Sequence, residues 1–194
     1  MIIGIIGNIA TGKTTLVNSC INNNRNVTVI EEVRSPFLEK YLCGEKVAFQ
    51  NQIHYYLQCL KSSRLSREGK NVIQDRCIID MHNVFSRMML EDEHISENEW
   101  ELLSEIKEHC LYLEKEYKFV TMNASVEVIM SRINNRNMLG DRYIESSQVE
   151  ELNSKYKIIT QNISKRDLLV LNTNNLSSKQ CELQFKKWLT SLFS

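Results

Sequence analysis

The sequence predicts an α/β fold, a five-stranded and mostly parallel sheet with helices on both faces. Two observations carry that reading: five short apolar runs of strand length recur along the chain, and longer amphipathic stretches of helical spacing separate them. No internal repeat or low-complexity tract breaks the alternation, and Pro36 is the only proline. The 194 residues (1–194) are therefore expected to form one domain.

The first run, Ile2-Ile3-Gly4-Ile5-Ile6, is continuously apolar, as expected of a strand covered on both faces. Val27-Thr28-Val29-Ile30 is a second strand, and Val72-Ile73-Gln74, Phe119-Val120-Thr121-Met122 and Leu168-Leu169-Val170-Leu171 supply three more. Helices are expected over 14–24, 45–67, 76–91, 96–116, 124–136, 145–161 and 177–193. Parallel strands need such crossovers. Ligands of open α/β sheets bind beyond the carboxyl ends of the strands, so the residues after each strand are where chemistry is sought.

Bulk properties narrow the field. A formal net charge of zero gives no footprint for a nucleic-acid polyanion or an anionic membrane surface. No apolar run reaches the roughly 18 residues of a membrane span. The six cysteines show neither a C-x-x-C pair nor zinc spacing, so they are expected to be reduced and mostly buried. With Met1 leading straight into a strand, this points to the cytoplasm or another reducing compartment.

After the first strand comes Gly7-Asn8-Ile9-Ala10-Thr11-Gly12-Lys13-Thr14-Thr15, a complete GxxxxGK[ST] motif. Its glycines let successive amides turn inward around phosphate oxygens, and the following helix adds the positive end of its dipole. Lys13 is expected on the β- and γ-phosphates and the Thr14 hydroxyl on Mg²⁺. The fold class sharpens to a P-loop NTPase, a three-layer αβα sandwich.

Other strand ends say which kind. No Asn-Lys-x-Asp element of a GTPase is present. The third strand ends Asp75-Arg76-Cys77, which sets a carboxylate suited to Mg²⁺ beside a guanidinium; a surface ion pair is the alternative. The second ends Ile30-Glu31-Glu32-Val33, where a carboxylate would face the crevice and accept a proton from a hydroxyl. Arg132 and Arg136 lie four apart on one helix face before a polar stretch with Gly140, Asp141 and Arg142. They read as a helical lid at about 132–144, or as a solvated basic face.

In this order and spacing the motifs resemble the deoxyribonucleoside kinase family over nearly the whole chain. That family opens with Gly-Asn-Ile-x-x-Gly-Lys-Thr-Thr and ends its second strand in Glu-x-Val, here Glu31-Glu32-Val33. Pro36-Phe37-Leu38 with Tyr41, Ala48-Phe49-Gln50-Asn51-Gln52, Asp75-Arg76-Cys77 with Phe85, and Arg132 with Arg136 match further segments.

The resemblance implies transfer of the γ-phosphate of ATP, or another nucleoside triphosphate, to the 5′-hydroxyl of a deoxyribonucleoside. Glu31 would be the general base, Arg76 would orient the hydroxyl and phosphoryl group, and Asp75 with Thr14 would hold Mg²⁺. Tyr41 and Asp141 would bind the 3′-hydroxyl, Gln52 the base edge and Phe85 its ring. Arg132 and Arg136 would clamp the donor phosphates. A homodimer packed through flanking helices is implied as well.

The departures from that pattern are informative. Asn137-Met138 replaces a Gly-Arg of the lid, and Asn51 stands where an aromatic often lines the base. Where purine- and deoxycytidine-accepting members pair an arginine with an aspartate, this chain has Cys59 and Met81, which leans toward a pyrimidine; Asp80 restores a carboxylate if the helix register differs by one.

A nucleoside monophosphate kinase of the thymidylate kinase type shares many of these motifs. It needs more positive charge near the second strand than Arg34 alone, and a glutamate there opposes a dianionic acceptor. A non-catalytic nucleotide-binding subunit is the third reading.

Overall fold

The computed structural model describes residues 1–21, 27–113, 116–136 and 144–192. Five parallel strands, β1 (Ile2–Gly7), β2 (Val27–Ile30), β3 (Asn71–Asp75), β4 (Tyr117–Asn123) and β5 (Leu168–Asn172), form one sheet in the order β2-β3-β1-β4-β5. Each covers an apolar run that the sequence marks as a strand. β1 lies at the centre, and Ile3 pairs in register with Ile73 on one side and Lys118 on the other. All six of its residues are buried, which is why its run is apolar without alternation.

The helices are α1 (Lys13–Ile21), α2 (Leu38–Leu42), α3 (Ala48–Arg67), α4 (Ile78–Asp80), α5 (Arg87–Glu91), α6 (Glu97–Leu113), α7 (Val126–Arg136), α8 (Ser146–Asn162) and α9 (Ser178–Leu192). A π-helical turn, Met81–Ser86, joins α4 to α5, so the single helix expected over 76–91 starts at Ile78 and widens in its middle. The short α2 has no counterpart among the expected helices.

On one face of the sheet, Leu16, Val17 and Cys20 of α1 pack with Cys181, Phe185 and Leu189 of α9 over Ile3, Ile5 and Leu171. The fourfold spacing of the α9 residues puts them on one helix face. On the other face α3, α4 and α6 bury Tyr56, Cys59, Ile78, Leu103 and Cys110. Leu152, Tyr156 and Ile159 of α8 cover Ile6, Cys77 and Phe119. Each such fully buried large apolar side chain contributes about 1.5–3 kcal/mol.

No cysteine is bridged; five are buried and Cys43 is exposed. No described helix is long and apolar enough to cross a membrane.

Because β1 sits between β3 and β4, the chain leaves it toward one edge and later crosses to the other. That reversal opens a crevice at the carboxyl ends of the central strands. The segments after β1, β2 and β3 all reach it.

Candidate active site

The crevice is a cleft of about 900 Å³ whose floor is the phosphate loop, Ile9 to Thr15. Gly7 ends β1 at φ +141°, and a Cβ there would lie 2.4 Å from the Met122 carbonyl oxygen. Only glycine fits so close to β4 in that conformation. Neither Gly7 nor Asn8 lines the cleft. The Asn8 amide faces α8 instead, donating to the Val149 carbonyl (2.9 Å) and Asn153 Oδ1 (2.8 Å), and its Oδ1 accepts the Ile9 N–H (2.7 Å). Asn8 thus anchors the loop from behind.

Lys13 is buried, and its Nζ donates to the Asn8 carbonyl at 2.7 Å. Burial above all, then the charge of Arg76, lowers its pKa to about 7, against the opposing pull of Asp75, Glu32 and Asp80. A bound polyphosphate supplies the negative charge that keeps this ammonium protonated.

Thr14 Oγ1 donates to Asp75 Oδ2 at 2.6 Å, while Asp75 Oδ1 is buried without a partner among the described residues. Burial pushes the Asp75 carboxyl up, and Lys13 and the Thr14 hydrogen bond pull it back. An orphaned carboxylate oxygen beside a hydroxyl fits Mg²⁺, which takes one or two protein oxygens and completes its shell with phosphates and water.

Arg76 follows β3 in the left-handed region (φ +62°), unusual for a non-glycine residue and held by its N–H bond to the Ile5 carbonyl (3.0 Å). Its Nε donates to Glu32 Oε2 (3.0 Å) and its Nη1 to the Tyr156 hydroxyl (2.9 Å) and Asp80 Oδ2 (3.4 Å). The Phe85 ring lies 4.5 Å from the guanidinium carbon. Burial works against the charge, and Glu32, then Tyr156 and Asp80, overcome it.

Glu31 is exposed and absent from the cleft wall, whereas Glu32 lines it and pairs with Arg76. The sequence reading placed Glu31 there; the geometry puts its neighbour in that position. Successive residues of an extended segment point to opposite sides, so only one of the pair can face inward. Which one is set by Val33, whose N–H donates to Gln58 Oε1 (2.9 Å) and whose carbonyl accepts Gln58 Nε2 (2.8 Å) and faces His54 Nε2 (3.0 Å). This grip by α3 turns Glu32 into the cleft.

Tyr41, Gln52, Met81 and Phe85, the expected nucleoside-binding residues, line the same cleft. Tyr41 meets His94 edge to face at 5.4 Å. Gln52 Nε2 donates to Met89 Sδ (3.2 Å), and its Oε1 accepts the Ser86 hydroxyl (2.9 Å). Ser86 in turn contacts the Tyr56 hydroxyl (3.0 Å), and Tyr56 contacts His82 Nδ1 (2.9 Å). With Ser86 donating to Gln52, Tyr56 donates to Ser86 and His82 Nδ1–H to Tyr56, a chain that fixes the orientation of the Gln52 amide. His82 stacks on Trp100 at 4.2 Å, and burial, with Lys107 nearby, lowers its pKa to about 4, so the ring is neutral.

Asp80 does not line the cleft. It is fully buried, and its Oδ1 accepts the Cys77 N–H (2.7 Å) while its Oδ2 accepts the Tyr156 hydroxyl (3.2 Å). Met81, its neighbour, lines the cleft instead. Cys59 is buried behind it and accepts from Gln74 Nε2 (3.3 Å).

Arg132 and Arg136 reach the cleft from α7. Arg132 is braced, with Nη1 on Thr173 Oγ1 (2.9 Å) and the Ala10 carbonyl (3.2 Å) and Nη2 on the Thr173 carbonyl (2.7 Å). Asp141 and Arg142, with most of the expected lid, lie outside the described residues. Tyr156, Thr173 and the anchoring role of Asn8 carry no local sequence signal.

No curated protein matches the chain by sequence. Among solved structures, the deoxyadenosine kinase from M. mycoides with bound dCTP shares the fold at a TM-score of 0.75 and 21% identity, covering 98% of this chain and 100% of that one. The same enzyme with bound dATP gives 0.74 and 19%, covering 96% and 98%. With products dCMP and a flexible dCDP bound it gives 0.76 and 20%, covering 98% and 100%. The family described as deoxynucleoside kinase matches residues 3–191. The chain belongs to the deoxynucleoside kinase family.

Proposed function

We propose that this deoxynucleoside kinase uses Glu32 as general base in Mg²⁺-dependent transfer of the γ-phosphate of ATP, or another nucleoside triphosphate, to the 5′-hydroxyl. The observation that carries this reading is the Glu32–Arg76 pair, set in the cleft between the phosphate loop and the nucleoside wall. Glu32 accepts the hydroxyl proton as the 5′-oxygen bonds to the γ-phosphorus, and the bond from that phosphorus to the β–γ bridging oxygen breaks. Arg76, kept charged by Asp80 when Glu32 is protonated, orients the hydroxyl and neutralises the phosphoryl oxygens. Lys13 and the loop amides take up the charge of the departing diphosphate. Thr14 and Asp75 would hold Mg²⁺, which when bound offsets charge on the β- and γ-oxygens.

The uncharged wall at Met81 supports a pyrimidine as the preferred base. Tyr41 supports the 3′-hydroxyl, with Phe85 against the base ring. α3 and α6 both expose apolar side chains, Leu57, Leu102 and Tyr112, which supports a homodimer through flanking helices. A monophosphate acceptor is disfavoured, because Glu32 would face a dianion and Arg34 is paired with Glu39 (3.5 Å).

Steady-state kinetics on the four deoxynucleosides and thymidine monophosphate test this function. Transfer to a nucleoside with thymidine foremost is expected. Highest kcat/KM on deoxyadenosine or deoxyguanosine would overturn the pyrimidine reading, and a preference for the monophosphate would overturn the acceptor class.

A further inference from the structure

Among the described residues, one polar group of the cleft wall goes unused by the fold. Asn51 is 2% exposed and lines the cleft, and its Oδ1 has no hydrogen-bond partner among the described residues. Buried amide oxygens without partners are rare in native proteins, and one on a residue that lines a ligand cavity points to the ligand as the missing donor. Asn51 adjoins Gln52 on α3, and Tyr55 one turn later lines the same cleft.

The orientation of Gln52 makes the arrangement directional. Its Oε1 already accepts from Ser86, and one amide hydrogen goes to Met89 Sδ. Gln52 therefore keeps an N–H to give, and the neighbouring Asn51 has an oxygen that needs one. Together they match a nucleobase edge that carries a ring or carbonyl acceptor beside an amine or imide N–H.

We infer that Asn51 is a base-reading residue, its Oδ1 accepting an N–H of the nucleobase while Gln52 donates to the adjacent acceptor. The inference rests on the nucleoside lying along this wall, as in the function proposed above. It implies that the free protein carries an unmet polar group that substrate satisfies. An apolar replacement should then leave the free protein as stable or more so, while weakening substrate binding.

The test uses Asn51→Leu and, to guard against a packing defect, Asn51→Met. kcat/KM is measured for the best natural deoxynucleoside and for an analogue without the edge N–H. That analogue is 2-pyrimidinone 2′-deoxyriboside for a pyrimidine, or purine 2′-deoxyriboside for a purine. Both variants are expected to lose about tenfold to a hundredfold on the natural substrate, chiefly through KM, with the KM for ATP unchanged. On the analogue the loss should be under about threefold, and the Tm of the free variants should not fall. Equal losses on both substrates, no loss on either, or a lowered Tm in both variants would overturn the role of Asn51. Failure of the Glu32 assignment shows elsewhere, as an undiminished kcat in Glu32→Gln, and leaves this ratio between two substrates intact.

Discussion

A Glu32→Gln substitution removes the proposed proton acceptor while holding the shape of the site constant. Positioned general bases contribute about 10²–10⁴-fold, or about 3–5.5 kcal/mol of transition-state stabilisation, and that is the expected loss in kcat. The fold should tolerate the change. The Glu32 side chain is 29% exposed, so water screens its pair with Arg76, and a glutamine oxygen can still accept from Nε. Arg76 keeps Asp80 and Tyr156 as partners. The stability cost is therefore about 1 kcal/mol or less, a shift of about 2–4 °C in Tm for a chain of this size. Coupled-assay kinetics with ATP and the best deoxynucleoside, alongside calorimetry, separate the two effects. Glu31→Gln is the control and should change kcat less than about twofold, as expected for a surface substitution away from the chemistry. A Glu32→Gln enzyme with near-normal kcat, or a Glu31→Gln enzyme that loses the larger share, would refute the assignment.

Three further outcomes follow from the same contacts. Lys13→Ala, which empties the phosphate loop of its one buried ammonium, should lower kcat by at least about 10²–10³-fold in the same assay. Asp80→Ala leaves the buried Arg76 short of a carboxylate and the Cys77 N–H uncapped, so about 3–5 kcal/mol of stability should be lost, on the order of 10 °C in Tm by calorimetry. His82 titrates near 6.5 when unfolded and at about 4 when folded, so the folded chain binds fewer protons in that window. Stability should then be full above about pH 6.5 and fall by up to about 3 kcal/mol as pH drops to about 4; urea melts across pH 4–7 of the parent and His82→Gln should show the slope flattened in the variant.

Much of this was readable from local pattern. The apolar run of β1 and the loop after it were legible because glycine, lysine and threonine at fixed spacing encode a backbone path, and the helix follows from it. Asp75-Arg76 was legible for the same reason, since Asp75 ends β3 and Arg76 follows it, with Met81 in the helical segment beyond. Glu31 and Glu32 were not separable. Their facing depends on the hold of Gln58 and His54 on Val33, more than 20 residues along the chain. Asp80 showed as a carboxylate beside the pocket position. What turns it away is its bond to the Cys77 N–H and a tyrosine 76 residues distant. Asn8 sits inside the most recognisable motif of the chain, yet its side chain serves α8. Spacing reveals backbone geometry well and the direction of a side chain poorly.

The hold of α3 on Val33 ties two tasks to one body. The helix that bears Asn51, Gln52 and Tyr55 also grips the residue next to Glu32. With Glu32 as the proposed proton acceptor, a nucleobase too large for the wall would push on α3, and a shift of α3 would carry Glu32 with it. Misfit at the base is then felt some distance away, at the 5′-oxygen, as slower turnover as well as weaker binding. Selectivity of this kind survives saturation, because excess of a wrong nucleoside fills the cleft without restoring the alignment at which phosphate is passed.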